Sequence, residues 1–163
     1  MTEEGFRAAT GDECSSGFEQ SAEDRAAAVR QAMDGLWQIR RVMNPAAGQP
    51  VTVPAEWERR QPLRAVALAL EAAGLPASAV GPDSRRTAAG YRVSHVDGVL
   101  RVEWLGPPGS KAVHEQHEQL QRCAQALEDL GWQVLEYRGA RRHRWLEVEP
   151  PPVDTRARGG CVE

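Results

Sequence analysis

The sequence predicts an α+β protein in which two N-terminal helices are followed by a ββαββ unit, an antiparallel four-stranded sheet with a helix on one face. Three observations support this: alternating segments on either side of Asp97-Gly98, a helical apolar stripe after them, and a second pair of alternating segments. Alternation with period two is typical of half-buried strands, and spacings of three and four are typical of amphipathic helices. Placing the helix across one face of the sheet buries both apolar surfaces.

The first predicted hairpin can be aligned residue by residue. Asp97-Gly98 suits a two-residue turn with positive φ at both central positions. Such a turn pairs Val96 with Val99, and all other pairs follow from that one. One side is then apolar and the other polar, with these pairs: Tyr91 with Trp104, Val93 with Val102 and His95 with Leu100, against Arg92 with Glu103 and Ser94 with Arg101.

The predicted covering helix runs from about Ser110, a plausible N-cap, to Leu130. Gly131 followed by the apolar Trp132 is the pattern of a Schellman stop. The residues that recur at helical spacing and form its apolar stripe are Val113, Leu120, Cys123, Ala124, Leu127 and Leu130.

The second predicted hairpin joins segments 133–137 and 144–148, and two registers remain open. A four-residue loop pairs Leu135 with Leu146 and leaves Tyr137 opposite Arg144. A three-residue loop pairs Leu135 with Trp145 instead. Both pairings are chemically reasonable, so the pattern alone does not choose between them.

The chain divides into a flexible tail (1–20), a single α+β domain (21–149) and a second flexible tail (150–163). Within the domain, residues 21–75 form the helical part and residues 91–149 the ββαββ part. The first helix begins at a capping box and runs to about Met43, and Gly35 inside it indicates a bend or a closely packed neighbour. Its predicted stripe is Val29, Met33, Leu36, Trp37 and Arg40. Further helical turns are expected at 54–60, from Pro62 to the Gly74-Leu75 stop, and at 83–88.

Composition excludes some classes of protein and favours others. The 163 residues have a net charge of −3, which gives no global bias toward nucleic acid or membranes. We expect no signal peptide, no membrane contact and a cytoplasmic location, because the three cysteines are widely spaced and no long apolar run occurs. Nineteen of the twenty basic residues are arginine, as expected for a high-GC bacterial coding bias.

Two clusters are candidates for chemistry. His114, His117 and Glu118 lie on one face of the predicted helix and are weak candidates for metal ligands. The second histidine comes one position too early for the zinc-protease motif, so a solvated helix turn is the simpler interpretation.

The other cluster is the arginine-rich tip of the second hairpin. Guanidinium groups bind phosphates and stack on bases, and neighbouring aromatic rings can stack as well. The predicted nucleic-acid-binding residues are Tyr137, Arg138, Arg141, Arg142, His143, Arg144 and Trp145. A charged tip that only keeps the sheet edge soluble is the competing interpretation.

No nucleophile motif, phosphate loop or paired carboxylate stands out, so no catalytic residue and no cofactor are predicted. We expect a non-enzymatic binding or accessory module that acts through protein–protein interaction, including a homodimer through a sheet edge. The alternative is a nucleic-acid-binding protein that uses the hairpin tip at 138–144, and a metal-dependent enzyme is the least favoured class.

Overall fold

A computed structural model describes residues 6–14, 21–44 and 50–152 of the chain. The elements follow one another in this order: α1 (Ala22–Met43), a 3₁₀ turn (Pro50–Thr52), α2 (Glu56–Arg60), α3 (Pro62–Ala72), β1 (Ala79–Val80), β2 (Arg86–Ala88), β3 (Gly90–Val96), β4 (Val99–Leu105), α4 (Ala112–Asp129), β5 (Gln133–Arg138), a 3₁₀ turn (Ala140–Arg142) and β6 (Arg144–Glu149). No helix in the described ranges is long and apolar enough to cross a membrane.

The predicted α+β class and the antiparallel four-stranded sheet are confirmed. The strands of this sheet lie in the order β3-β4-β6-β5. A separate two-stranded sheet, β1-β2, was not predicted, and it replaces the short helix expected at 83–88. Ser84 adopts a positive φ of 64° there, which turns the chain back on itself instead of letting it coil.

The predicted register of the first hairpin is confirmed at every pair. Asp97 and Gly98 have φ values of 51° and 80°, as a two-residue primed turn requires. On the polar side, Arg92 lies 3.7 Å from the carboxylate of its cross-strand partner Glu103. On the apolar side, His95 is exposed, and the buried residues are Tyr91, Val93, Leu100, Val102 and Trp104.

The register of the second hairpin matches neither of the two alternatives. Its loop has five residues, 139–143, and β5 pairs with β6 so that Val134 faces Val148 and Tyr137 faces Trp145. The 3₁₀ turn at Ala140–Arg142 accommodates the longer loop.

The α4 helix begins later than predicted, because Lys111 and not Ser110 is its N-cap residue. Val113 was placed on the apolar stripe but is exposed, and Gln116 occupies the corresponding buried position. The Schellman stop is confirmed, since the amide of Trp132 donates to the carbonyl of Leu127 at 3.0 Å. The buried residues of the helix are Ala112, Gln116, Leu120, Cys123 and Leu127.

The helices form two layers on one face of the sheet. α3 packs against β3 and α4, and the hydroxyl oxygen of Tyr91 lies 3.4 Å from the carbonyl of Ala67. α1 packs on the far side of α3, where Leu36 and Val29 contact Leu68. Because α3 lies between the sheet and α1, it is buried on nearly all sides, from Ala65 to Leu70, and not along one stripe.

Residues 6–14, which belong to the predicted N-terminal tail, lie along the outer edge of β3. The amide of Val93 donates to the carbonyl of Thr10 at 2.7 Å, and the hydroxyl of Tyr91 donates to the carbonyl of Ala9 at 2.9 Å. These bonds cover an edge that the sheet would otherwise expose. The remainder of the predicted tails, 1–5, 15–20 and 153–163, lies outside the described residues.

A buried ion pair joins α1 to α2. Both Nε and Nη2 of Arg40 donate to Glu58, at 2.9 and 2.7 Å, and the two side chains are 0% and 1% exposed. Each partner makes a further hydrogen bond, because Nη1 of Arg40 donates to the carbonyl of Val51 and Glu58 accepts from the amide of Ala55. The ring of Trp37 lies 5.5 Å from the guanidinium. This arrangement satisfies the geometry that a buried charge pair needs.

We expect Glu58→Ala to lower the free energy of unfolding by about 3–5 kcal/mol, because it leaves the Arg40 guanidinium buried without a partner. The matched control is Glu56→Ala on the same short helix, whose exposed ion pair with Arg60 should contribute less than about 1 kcal/mol. Urea unfolding followed by tryptophan fluorescence measures both. Equal losses for the two variants would show that burial of the pair does not determine its contribution.

Asp12 attaches the N-terminal segment to the two sheets. Its carboxylate accepts from Arg86 at 2.7 Å and from Arg92 at 3.0 Å. Burial raises the pKa of Asp12, but the hydrogen bonds from the two guanidinium groups outweigh burial and hold its pKa below 3.8. Because the folded-state pKa of Asp12 lies below the unfolded-state pKa, its contribution to stability is complete above the unfolded-state pKa. The contribution is lost as the pH falls through the folded-state pKa.

Asp12→Asn should therefore destabilise the protein at about pH 6 and have less effect as the pH falls below the unfolded pKa. Urea unfolding of wild type and variant across this range measures the difference in free energy of unfolding. A difference that stays constant from neutral to acid pH would contradict the assignment.

Candidate functional site

The tip of the second hairpin is a strained loop over residues 139–143. It closes where the amide of Gly139 donates to the carbonyl of His143 at 2.7 Å. Arg141 and Arg142 have φ values of 57° and 60°, in the left-handed region that residues with a Cβ seldom adopt. Each such conformation costs on the order of 1–3 kcal/mol unless surrounding contacts impose it. The loop must therefore be held by another element.

That element is α4, through the side chain of Gln116. The amide nitrogen of Gln116 donates to the carbonyl of Arg142 at 2.6 Å, and its side-chain oxygen accepts from the amide of Arg144 at 3.2 Å. The glutamine is 6% exposed, so both bonds are shielded from water. Gln116 thus hydrogen-bonds to the backbone on both sides of His143 and holds the loop against α4.

Antiparallel pairing divides the predicted nucleic-acid-binding residues between two faces of the sheet. Arg138 faces Arg144, and Tyr137 faces Trp145, and neighbours along a strand point to opposite faces. Arg144 lies on the α4 side, where its guanidinium is 3.1 Å from the ring of His117. The rings of Tyr137 and Trp145 stack on the other face with centroids 6.1 Å apart. Phosphate-binding and base-stacking groups are therefore on different surfaces.

On that other face, the indole of Trp145 is packed by its neighbours. The ring of His143 stacks on it with centroids 5.3 Å apart, and the guanidinium of Arg101 lies 4.5 Å from the ring centre. His143 is in turn 3.1 Å from the carboxylate of Glu103. Cation–π and ring contacts of this kind stabilise the sheet surface and cover much of the indole.

A pocket lies on the α4 side of the hairpin tip, and it brings the two predicted clusters together. Its volume is about 480 Å³, and it lies between the first turns of α4 and the ends of β5 and β6. We call it the tip pocket; its basic residues are His114, His117, Arg138, Arg142, His143 and Arg144. The sequence indicated each cluster separately, but only the fold shows that they share one cavity.

Glu136 partly neutralises the tip pocket. Its Oε1 lies 3.1 Å from Nδ1 of His117 and accepts from Arg144 at 3.1 Å. Burial raises the pKa of Glu136, but the hydrogen bonds from His117 and Arg144 outweigh it and hold the pKa below its usual value. The carboxylate is therefore ionised throughout the neutral range.

The other arginines of the tip lack such a partner. Among the residues that the structure describes, no carboxylate lies within 4 Å of the guanidinium groups of Arg138, Arg141 or Arg142. Arg138 also stands directly opposite Arg144, and like charges in that position repel one another.

The weak metal candidates do not gather a ligand set. Within ranges 6–14, 21–44 and 50–152, no group of three or more His, Cys, Asp or Glu residues could hold a metal ion. His117 is hydrogen-bonded to Glu136, and Glu118 lies 3.6 Å from Arg122.

Cys123 lies inside the core. Burial raises the pKa of its thiol to about 12, so the thiolate that a nucleophile needs is not formed near neutral pH.

A further surface, which the sequence analysis missed, lies between α1 and α2. The side chains of Ile39, Val42 and Met43 are exposed on the last turns of α1, Val42 by 72% and Met43 by 58%. Together with Ala55 and Trp57 they line a groove of about 670 Å³, which we call the α1–α2 groove. A cluster of exposed apolar side chains beside a concave surface is unusual on a monomer and is typical of an interaction site.

A sequence signal for this groove was present but unused. Gly35, Ile39 and Val42 recur at helical spacing on a face distinct from the buried face that contains Leu36 and Arg40. The structure also answers the question raised by Gly35: α1 continues through it, and a Cβ there would meet no described neighbour within 4 Å. The surface at Gly35 is therefore open to close approach from outside.

The sheet has one covered edge and one open edge. β3 is covered by Thr10 and by Pro76, whose carbonyl accepts from the amide of Tyr91 at 3.0 Å. No described residue pairs with the outer edge of β5, where Leu135 and Tyr137 are exposed. β5 is thus the edge to which a strand of another chain could add.

No protein-family model, no curated protein and no solved structure matches this chain. Any assignment of function therefore depends on the chemistry of the tip pocket, the α1–α2 groove and the β5 edge.

Replacing Gln116 tests how the hairpin tip is held. Gln116→Leu keeps the apolar contacts but removes the partners of the Arg142 carbonyl and the Arg144 amide, so we expect a loss of about 1–3 kcal/mol in the free energy of unfolding. Hydrogen exchange at the Arg144 amide should become faster. Gln125→Leu on the exposed face of α4 is the control and should change stability by less than about 0.5 kcal/mol. An unchanged exchange rate at the Arg144 amide in Gln116→Leu would show that Gln116 does not hold the hairpin tip.

Proposed function

We propose that this protein is a non-enzymatic interaction module whose α1–α2 groove binds an apolar helix face, in the first instance that of α1 in a second copy of the chain. The observation that supports this is the exposed row of Ile39, Val42 and Met43 beside the indole of Trp57. A partner that removes this exposed apolar area from water makes the free energy of association more favourable.

A second copy suits the groove because α1 supplies both halves of a contact. Its exposed row can fill the groove of a partner, while its own groove accepts the partner's row. A surface that is complementary to itself gives a closed two-fold pair. Gly35, with open space above its Cα, would let two α1 helices approach closely at the centre of such a pair.

The groove is held in a fixed shape before any partner arrives. The buried pair Arg40–Glu58 fixes α1 against α2, and its two members directly follow the groove residues Ile39 and Trp57 in the chain. A preformed site loses less conformational freedom on binding, which favours affinity.

The β5 edge is the competing surface for a protein contact. Its exposed side chains Leu135 and Tyr137 alternate with Glu136 and Arg138, and charged residues on an edge strand oppose pairing with another strand. Glu56 and Arg60 also line the α1–α2 groove, but they pair with each other at 2.7 Å and are not part of its apolar row, and we therefore favour the groove.

Nucleic-acid binding by the hairpin tip has weaker support. The rings of Tyr137 and Trp145 and the guanidinium groups of Arg138 and Arg144 are on opposite faces, so one strand of nucleic acid would not meet both. Binding to nucleic acid usually combines a basic groove with stacked rings on the same surface.

We also propose that residues 21–149 act as one unit in the cytoplasm. The buried cluster that joins residues of α3 to residues of the sheet, with Tyr91 Oη 3.4 Å from the carbonyl of Ala67, supports a shared core for the helical and ββαββ parts. The low number of cysteines, three in 163 residues, supports a reducing compartment.

The proposal predicts a concentration-dependent dimer. We expect light scattering coupled to size-exclusion chromatography to show a mass that rises from monomer to dimer over about 5–500 μM, as mass action requires. Val42→Glu should weaken the dimer at least about tenfold, because a carboxylate would be buried at the contact.

Two matched variants make the experiment decisive. Val113→Glu introduces the same change at an exposed valine of α4, and the dimer should persist. Leu135→Glu changes the β5 edge and should also leave the dimer intact. A wild-type chain that stays monomeric throughout, or a dimer abolished by Leu135→Glu and not by Val42→Glu, would overturn the proposed interface.

A further inference from the structure

The tip pocket contains more positive charge than its surroundings neutralise. Arg138, Arg142 and Arg144 contribute three guanidinium groups, and Glu136 contributes the one carboxylate that is hydrogen-bonded among them. Two positive charges remain when the histidines are neutral. Arginine forks bind phosphate oxygens through paired N–H donors, which makes a doubly charged phosphate the natural complement of this excess.

If these arginines served only to keep the loop soluble, two of them would not need to face each other across the hairpin. Arg138 and Arg144 are direct cross-strand partners, an arrangement in which like charges repel one another. Arg144 is relieved by Glu136, while Arg138 and Arg142 face the cavity with no described carboxylate within 4 Å. An anion bound beside Arg138 and Arg142 would neutralise their charge and so reduce the repulsion between Arg138 and Arg144.

The loop that presents Arg142 is prepared before any ligand binds. Gln116 fixes the backbone on both sides of His143, and Arg142 is held at a φ of 60°. A site held in its binding conformation binds more tightly than one that must be ordered first.

α4 contributes to the same side of the pocket. Val113 and His114, which line the cavity, belong to the first turn of this 18-residue helix. The positive end of the helix dipole favours an anion at that position. This effect adds to the arginine cluster and does not replace it.

The geometry points to a phosphate monoester site: we propose that the tip pocket binds the phosphate group of a small phosphorylated molecule between Arg138 and Arg142, at the first turn of α4. The cavity of about 480 Å³ has the size of small-ligand sites. A nucleic-acid strand is a poorer fit, because the stacked rings of Tyr137 and Trp145 lie on the opposite face of the sheet. This inference is independent of the α1–α2 groove and of dimer formation.

Nuclear magnetic resonance locates the site and measures its affinity. The ¹⁵N-labelled protein is titrated with inorganic phosphate and, separately, with O-phosphoserine, with sodium chloride adjusted to keep the ionic strength constant. We expect saturable shifts of the amides in segments 113–117 and 138–144. Shifts that do not saturate, or that occur mainly elsewhere, would overturn the proposal.

Substitutions then test the two arginines. Arg138→Gln combined with Arg142→Gln should weaken phosphate binding by about tenfold or more, because two charge-assisted hydrogen bonds are lost. Arg122→Gln, on an exposed part of α4, is the control and should bind as the wild type does. If the double variant loses its dispersed spectrum, Arg138→Gln alone provides the measurement. Equal affinity for wild type and arginine variants would overturn the assignment.

A third arm separates a small ligand from nucleic acid. A single-stranded oligonucleotide is titrated at two salt concentrations under the same conditions. Binding of the oligonucleotide with a steep salt dependence, without saturable binding of phosphate or phosphoserine, would identify a polyanion surface and overturn the proposed site. Saturable binding of phosphate or phosphoserine, with an affinity that the oligonucleotide does not exceed, supports the proposed site.

Discussion

The contact between Arg40 and Glu58 is the constraint on which the helical half of the molecule depends. The two side chains are in different helices and are removed from water together, so neither can leave without exposing the other as an unpaired charge. Their further bonds, to the carbonyl of Val51 and from the amide of Ala55, extend the fixed region to the segment between the helices. One polar network thereby sets the angle between α1 and α2 and, with it, the shape of the groove beside them.

The local parts of the fold could be predicted from the sequence because their determinants are neighbours in the chain. Asp97-Gly98 determines the turn and hence every pair of the first hairpin, and Gly131 determines the end of α4. The second hairpin escaped prediction because its five-residue loop adopts a conformation that its own residues disfavour. Gln116, more than twenty positions earlier, stabilises that conformation, and nothing in the pattern of 133–148 reveals the contact.

The candidate sites were predicted as residues and not as surfaces. The arginines of the tip and the histidines of α4 were both identified. Because neighbouring residues of β5 point to opposite faces, Arg138 lines the same cavity as His114, whereas Tyr137 does not. The α1–α2 groove was missed for a related reason. Arg40 was assigned to the buried face of α1, but its partner Glu58 lies in a helix whose position depends on the pair itself. Such mutual dependence is a property of tertiary structure and has no periodic signature.

The unequal edges of the main sheet limit how this molecule can polymerise. Among the described residues, the carbonyls of Thr10 and Pro76 accept from the outward amides of Val93 and Tyr91 on β3, whereas no strand pairs with the outer edge of β5. A chain that pairs through its one open edge has no second open edge in this sheet to which a third chain could add. If two chains joined through β5, both of their open edges would be used, and growth through this sheet would end at two subunits.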